Sequence, residues 1–562
     1  MKRFRYKVYW NLLMILIVAF VVYYFFDHIR NLWILGNWEI KLQIILISAF
    51  FALLFVLLVY LVICSSLYHK WTKRNFVFDR FIRKDRPDET FPLLLLAHKE
   101  YQENQKYKVQ AKNSEKKQTE EKTGFIFGKL DNGEWYTSPE EEEGNIACLG
   151  FPGTGKTTGI DIPVLLNWKG RVFCIDISGD ISTTVKRPKQ YMYCPDEGIG
   201  VYDVFFDVKR AKDKDERLEK LSIIAELLIP KNENISDNSK YFSDNGRKML
   251  NAALIFYYKN GFEFGDMCLE ICKQSAIELL RTISSDEEII DDILPLISSF
   301  NGANEKNTQG CKETVDGVLY FFATNSKVRN SLRSINRQKK ERGVAPFMLE
   351  FIDIFVCIPQ PKLSVYGPLL RLMVGQMWNY FVGRDLDAKT HILFALDEFA
   401  RFGRLPDIVD TLGTLRKRKV RVLLLTQQVS DLDSVYGTET RNAILGDCTY
   451  TICLGAKDLA TQEYFTKLVG QHHEIRYGVN TGDNGSRFMA TEEKTDIVES
   501  ASLAYIHHEN KLLLLTPEGY IFLKKNPWYN DEKLRARVKK LKELSQKKNI
   551  MKGKSTNGNK QG

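Results

Sequence analysis

Two long apolar runs open the chain. Residues from Val8 to Phe26 are almost continuously apolar, and Gln43 to Cys64 form a second run without a charge. Each is long enough to cross a bilayer as a helix, which needs about 20 residues. The first run is too long for a signal peptide, lacks a small-residue cleavage site and has the second run close behind. The flanks set an orientation. Lys2, Arg3, Arg5 and Lys7 precede the first run, and His69, Lys70, Lys73 and Arg74 follow the second. Asp27, Arg30, Glu39 and Lys41 cancel in the connection between them. Basic flanks stay on the cytoplasmic side. The expectation is a membrane anchor over 1–75, with spans at about 8–26 and 43–64 and both termini cytoplasmic.

From Phe76 to about Thr123 the pattern is charged and has no apolar period, which predicts a juxtamembrane linker over 76–123. The texture then turns to short apolar runs. "GFIFGKLDNGEWYTS" predicts a hairpin turning at Asp131-Asn132-Gly133. "NIACLG", "RVFCIDI", "ILFAL" and "VRVLLLTQQ" read as strands buried on both faces. Strand–helix–strand units of this spacing imply right-handed crossovers and a mainly parallel sheet. From about Val208 to Arg342 strand-like runs are scarce, and helical patterns such as "RLEKLSIIAELL" dominate. This predicts an all-α domain over 208–342 inserted into an α/β domain made of 124–207 and 343–530, with a basic tail over 531–562.

The chemistry gathers at strand ends. Gly150 to Thr157 reads G-x-x-x-x-G-K-T, between a strand and a helix start. Glycines let backbone N–H groups close on an anion, and the helix N-terminus adds a positive dipole end. Gly150, Gly153, Thr154, Gly155, Lys156, Thr157 and Thr158 are the expected phosphate-binding set. Lys156 can reach the β- and γ-phosphates of ATP, and Thr157 can place its hydroxyl on Mg2+. Pro163 predicts a kink or an early end to the helix that follows. "ILFAL" ends in Asp397-Glu398. There Asp397 would hold Mg2+ through its water shell, and Glu398 would orient or deprotonate an attacking water. A helix-capping pair is the alternative. Gln427, at the tip of "VRVLLLTQQ", can contact the γ-phosphate or its water, or else is a surface glutamine. Arg416, Lys417, Arg418 and Lys419 form a basic run from which one side chain could cross a subunit boundary. A solvated helix end explains the same run.

Composition narrows the class. At 562 residues more than one core is expected. A net charge of +10 is compatible with nucleic acid or an anionic membrane face. The ten cysteines contain no C-x-x-C pair, which argues against an oxidised, secreted scaffold. Cys268 and Cys272, four apart on one helix face, suit apolar packing better than a metal site. The acidic cluster Asp286, Glu287, Glu288, Asp291 and Asp292 is by default a solvated face.

At "ALDEFARFGRLPDIVDTLGTLRKRKVRVLLLTQQVSDLDSVYG" the chain resembles the TraG/TraD-type coupling proteins of bacterial type IV secretion and conjugation. The resemblance extends to "GFPGTGKTTGIDIPVLL", "GRVFCIDISGDI", "YFSDNGRKML" and "TRNAILGDCTYTICLGAKDLATQEYFTKLVG", and spans roughly 120–530. It implies a membrane-anchored, RecA-like P-loop ATPase with an all-α domain, assembling as a homo-hexamer. Such rings move single-stranded DNA with its relaxase, or protein, into the secretion channel. The resemblance matches Lys156 and Thr157 to the phosphate and Mg2+ positions, and Asp397 and Glu398 to the metal-associated and catalytic carboxylates. It matches Arg416 to the candidate arginine finger and Gln427 to the sensing glutamine. One departure stands out: many members read Asp-Pro-Lys-Gly-Glu where this chain has Asp176-Ile177-Ser178-Gly179-Asp180. The lysine-rich tail is either a flexible solubilising segment or a contact for DNA, a relaxosome protein or lipid. Delivery of protein effectors alone, and a non-motor membrane scaffold, are the competing functions.

Overall fold

The computed structural model describes Trp38, Lys108 and residues 124–139, 144–232, 235–336, 341–482 and 485–544. Both expected membrane spans, nearly all of the linker and the tail beyond 544 lie outside the described residues. Among the described residues no helix is long and apolar enough to cross a membrane.

The strands in chain order are β1 (Ile126–Lys129), β2 (Trp135–Thr137), β3 (Asn145–Leu149), β4 (Arg171–Asp176), β5 (Gln190–Tyr193), β6 (Asp353–Cys357) and β7 (Ile392–Leu396). They continue as β8 (Val420–Thr426), β9 (Cys448–Cys453), β10 (Gln471–Gly482), β11 (Gly485–Asp496), β12 (Lys511–Thr516) and β13 (Gly519–Lys524). All but β10 and β11 form one 11-stranded sheet in the order β2-β1-β13-β12-β9-β3-β8-β7-β4-β6-β5. From β9 to β5 every neighbouring pair is parallel. From β9 outward to β2 every pair is antiparallel. The predicted hairpin is β1–β2, with Gly133 at a φ of 87° in its turn.

Strands β3, β7 and β8 are buried along their whole length, as continuous apolar runs require. Their residues alternate between two cores. Ile146, Cys148, Leu393, Ala395, Leu423 and Leu425 face one. Ala147, Leu149, Phe394, Leu396, Val422 and Leu424 face the other. The second core runs without a break into the helices between β5 and β6. These include Lys214–Leu228, Asp237–Lys259, Phe264–Cys272 and Glu305–Thr324, and no strand interrupts them among the described residues. The helix Leu363–Val382 is the bridge. Its buried Arg371 donates to the carbonyls of Leu227, Leu228 and Phe402, joining the helical region to the sheet. Cys268 is fully buried in this core, and Cys272 packs against it. The acidic cluster is a set of surface ion pairs: Lys259 meets Asp286 and Glu288, and Lys214 meets Asp292.

Two features had no sequence-level expectation. Strands β10 and β11 pair antiparallel over their full length, from Gln471↔Asp496 to Gly482↔Gly485, as a separate ribbon. The basic tail begins as a helix over 532–544. Leu534 and Val538, with Leu541 beside them, pack into the core below β1 and β3. Asp531 accepts from Lys129 at 2.8 Å and from the indole of Trp135 at 3.2 Å, pinning the helix start to the hairpin.

Candidate nucleotide-binding site

Strands β3, β4, β7 and β8 are parallel and in register, with Leu149 level with Thr426 and Leu396 level with Leu424 and Ile175. Their carboxyl ends therefore share one edge, where ligands bind in open α/β sheets. The glycine loop leaves β3, Asp397-Glu398 leaves β7, and Gln427 leaves β8. Because β8 lies between β3 and β7, Gln427 stands between the loop and the carboxylates.

The loop is held in a conformation that side chains oppose. Gly153 and Gly155 sit at φ of 85° and 91°, where an L residue is strained. The Thr154 hydroxyl donates to Phe151 O at 2.8 Å, closing the crown of the loop. The edge of the His507 ring packs on Phe151 at 4.8 Å, and the Lys457 ammonium lies 4.2 Å from the same ring. Beyond Lys156 the chain makes a π-turn, Thr157–Asp161, before the α-helix Ile162–Asn167. Pro163 follows the π-turn with no break in helical backbone, and it lacks the N–H that a regular helix would return to the preceding turn. The expected irregularity is this π-to-α change, and the helix ends early, at Asn167.

Lys156 is buried, and its ammonium donates to Gly150 O at 2.6 Å, a carbonyl of its own loop. It lies 3.8 Å from a Glu398 carboxylate oxygen. Gln427 Nε2 donates to both oxygens of Glu398, at 3.1 and 3.2 Å. Glu398 itself is left-handed, at φ 52° and ψ 43°. The turn Phe399–Phe402 follows, with Arg401 N donating to Glu398 O at 2.8 Å. Gln428 turns away and donates to Asp431. The structure thus joins Lys156, Glu398 and Gln427 in one polar chain, with Asp397 next to it.

Burial, then the neighbouring Glu398, pushes the Asp397 carboxyl up to about 7, and Lys156 opposes the shift. Asp161, on the π-turn, is fully buried, with no hydrogen-bond partner for either oxygen among the described residues. Burial, then Asp397 and Asp176, holds its pKa well above the usual carboxylate range. Asp176, by contrast, accepts from the backbone N–H groups of Gly179 and Ser182 at 2.8 and 2.7 Å. Where the resembling family carries a lysine, Ser178 instead donates to Asp176 at 3.4 Å and accepts from Asp180 N at 3.1 Å. The departure builds a local turn.

A divalent cation fits these donors. Asp397 gives up its proton near neutrality, Thr157 offers a hydroxyl at the helix start, and Thr426 Oγ1 at the tip of β8 is buried without a partner among the described residues. A triphosphate fits the loop, because the Lys156 ammonium donates to the carbonyl of Gly150, which a phosphate oxygen can replace.

The family described as Type IV secretory system Conjugative DNA transfer matches residues 95–551. This chain belongs to that family. Protein VirD4 of Agrobacterium fabrum is 20% identical over 440 residues, covering 73% of this chain and 63% of its own length. The type IV secretion system-coupling protein VirD4 of Bartonella henselae is 23% identical over 351 residues, covering 58% of this chain and 53% of its own. The chain thus spans less than two thirds of the length of these curated relatives. In fold it is similar to the bacterial conjugative coupling protein TrwBdeltaN70 in complex with sulphate. The TM-score is 0.57 at 16% identity, over 73% of this chain and 90% of that one. It is also similar to the plasmid coupling protein TrwB in complex with ADP and Mg2+. There the TM-score is 0.51 at 16% identity, over 70% and 87% of the two chains. The mainly parallel part of the 11-stranded sheet thus belongs to a fold that these coupling proteins share.

Arg416 does not join the site within one chain. It is exposed in the last turn of the helix Ile408–Lys417, which leads into the start of β8. There it lines a cavity of about 750 Å³ with Asp447, Tyr464 and Thr516, at the edge opposite the glycine loop. Sequence reasoning also missed Asp161 and Lys525. The Lys525 ammonium donates to Thr154 O at 3.2 Å. Neither residue belongs to a motif; Asp161 follows the loop on the π-turn, and only the tertiary fold brings Lys525 there.

Proposed function

We propose that this chain is a membrane-anchored coupling ATPase that spends ATP to drive a relaxase–DNA substrate through a type IV secretion channel. The observation that carries the reading is the Lys156–Glu398–Gln427 chain beside a buried Asp397 whose pKa lies near neutrality. On phosphate binding, Lys156 exchanges Gly150 O for the β- and γ-phosphates. Mg2+, held by Thr157 and through water by Asp397, would screen the phosphate charge. Glu398 accepts a proton from the attacking water and orients it. Gln427, on the neighbouring strand, exchanges one Glu398 oxygen for the γ-phosphate or its water and so registers its loss.

The exposed Arg416, far from its own loop, suits a role toward a neighbouring copy in a homo-hexameric ring. The two apolar runs near residues 8–26 and 43–64 support a membrane anchor with the motor on the cytoplasmic face of a bacterial membrane. The family, and the solved neighbours whose names carry nucleotide and Mg2+, support ATP and Mg2+ as ligands.

The test is Glu398→Gln in the full chain. It should bind ATP as the wild type does, hydrolyse it at least about 100-fold more slowly, and fail to support transfer of the parent element. Transfer that survives without hydrolysis would leave a scaffold, not a motor. Arg416→Ala should lower hydrolysis only in the assembled form. Arg416→Ala mixed with Glu398→Gln should recover part of it, since one mixed interface carries both intact groups.

A further inference from the structure

The catalytic groups occupy only one side of the glycine loop. Asp397, Glu398 and Gln427 arrive from β7 and β8, on one side of β3. Strand β13 lies on the other side, beyond β9 and β12. Lys525 follows β13 directly, and its half-buried ammonium crosses to donate to Thr154 O in the loop. The chain then stays close. The turn Trp528–Asn530 packs against the π-turn Thr157–Asp161, the first turn of the helix after the loop. Residues 525–530 thus lie across the loop from Glu398, where the nucleoside of a triphosphate whose γ end meets Glu398 can sit.

Two groups on this strip have no work within the protein. The Asn526 amide nitrogen is buried and has no hydrogen-bond partner among the described residues. Buried polar groups are rarely left so, and a ligand is one way to complete them. The Tyr529 ring is 48% exposed beside Trp528, with the ring centroids 5.8 Å apart. Trp528 itself packs against the core, so the platform is anchored.

We propose that Lys525–Asn530 is the nucleoside wall of the site, with Tyr529 stacking on an adenine base and Asn526 pairing with its edge. Lys525 holds the wall to the loop through Thr154. The free Asn526 donor matches N1 of adenine, an acceptor, and mismatches N1 of guanine, which carries a hydrogen. The proposal rests on the loop being a triphosphate site.

The test measures equilibrium binding of ATP, GTP and inorganic tripolyphosphate to the detergent-solubilised full chain. Tyr529→Ala and Asn526→Ala should each weaken ATP by about tenfold and leave tripolyphosphate affinity unchanged. Asn526→Ala should also erase a preference for ATP over GTP. Lys156→Ala should weaken all three ligands. If the wild type binds ATP while both variants match its affinity and its ATP-to-GTP ratio, the wall is overturned and the loop stands. If the wild type binds no triphosphate, the loop reading fails and the wall with it.

Discussion

Gln427 and Glu398 are joined by a two-pronged hydrogen bond: one amide nitrogen serves both carboxylate oxygens, at 3.1 and 3.2 Å. The bond ties the tips of β7 and β8 together and holds Glu398 in a left-handed backbone that non-glycine residues rarely adopt. Without it the carboxylate loses its orientation but keeps its chemistry. Gln427→Ala should therefore lower kcat by about 10-fold to 100-fold, with KM for ATP changed much less. Steady-state kinetics would decide; a purely raised KM would assign Gln427 to ground-state binding instead.

Lys156 bridges the loop carbonyl and Glu398. Lys156→Ala removes the ammonium that donates to Gly150 O in the loop. Saturating ATP and Mg2+ should stabilise the wild type by about 2.7 kcal/mol at 100 times the dissociation constant. The variant should gain almost nothing at the same concentration. Thermal melts with and without nucleotide report the difference, and an equal shift in both chains would remove Lys156 from the site.

The backbone of the loop can be tested without touching a polar group. Gly155 has a φ of 91° and only Thr158 Oγ1 near its missing Cβ, at 3.6 Å. Space is therefore not the obstacle; backbone strain of roughly 1–2 kcal/mol is. Gly155→Ala should melt lower by a corresponding few degrees and bind ATP more weakly, while Gly413→Ala, in an open position without a positive φ, should do neither.

Asp161 gives a pH signature. Its folded-state pKa is raised by burial, so the folded chain keeps a proton that the unfolded chain releases. The stabilising share of that proton is complete below the unfolded value, about 3.9, and is lost as pH climbs through the folded one. Asp161→Asn mimics the protonated form. It should melt above the wild type in alkaline buffer, with the gap closing toward acid. A gap independent of pH would mean that Asp161 is ionised in the fold.

The helix 532–544 makes a structural prediction. Leu534 is buried against the sheet. Leu534→Ala should cost about 2–4 kcal/mol by calorimetry, as buried leucine truncations do. Substituting the exposed Lys539 or Lys540 by Ala should cost less than about 0.5 kcal/mol.

Much of the catalytic edge is written locally. A glycine loop after "NIACLG", and a carboxylate pair after "ILFAL", are short-range patterns whose chemistry needs only a strand end and a turn. The parallel order was legible because β3, β4, β7 and β8 are apolar on both faces, which only a doubly covered sheet explains. That the stretch between β5 and β6 is helical was legible too, as was an irregularity around Pro163, since proline lacks the N–H that a regular helix needs there.

Tertiary structure alone decided the rest, because the deciding contacts join residues far apart in the chain. Gln427 meets Glu398 only because β8 threads between β3 and β7. Lys525 reaches Thr154 only because β13 arrives on the far side of β3. The lysines around Leu534, Val538 and Leu541 hid a helix with one apolar face, which a hydrophobic surface elsewhere in the fold had to complete. The place of Arg416, at the edge opposite its own loop, follows from a helix running antiparallel to its strand, and no local pattern encodes that distance.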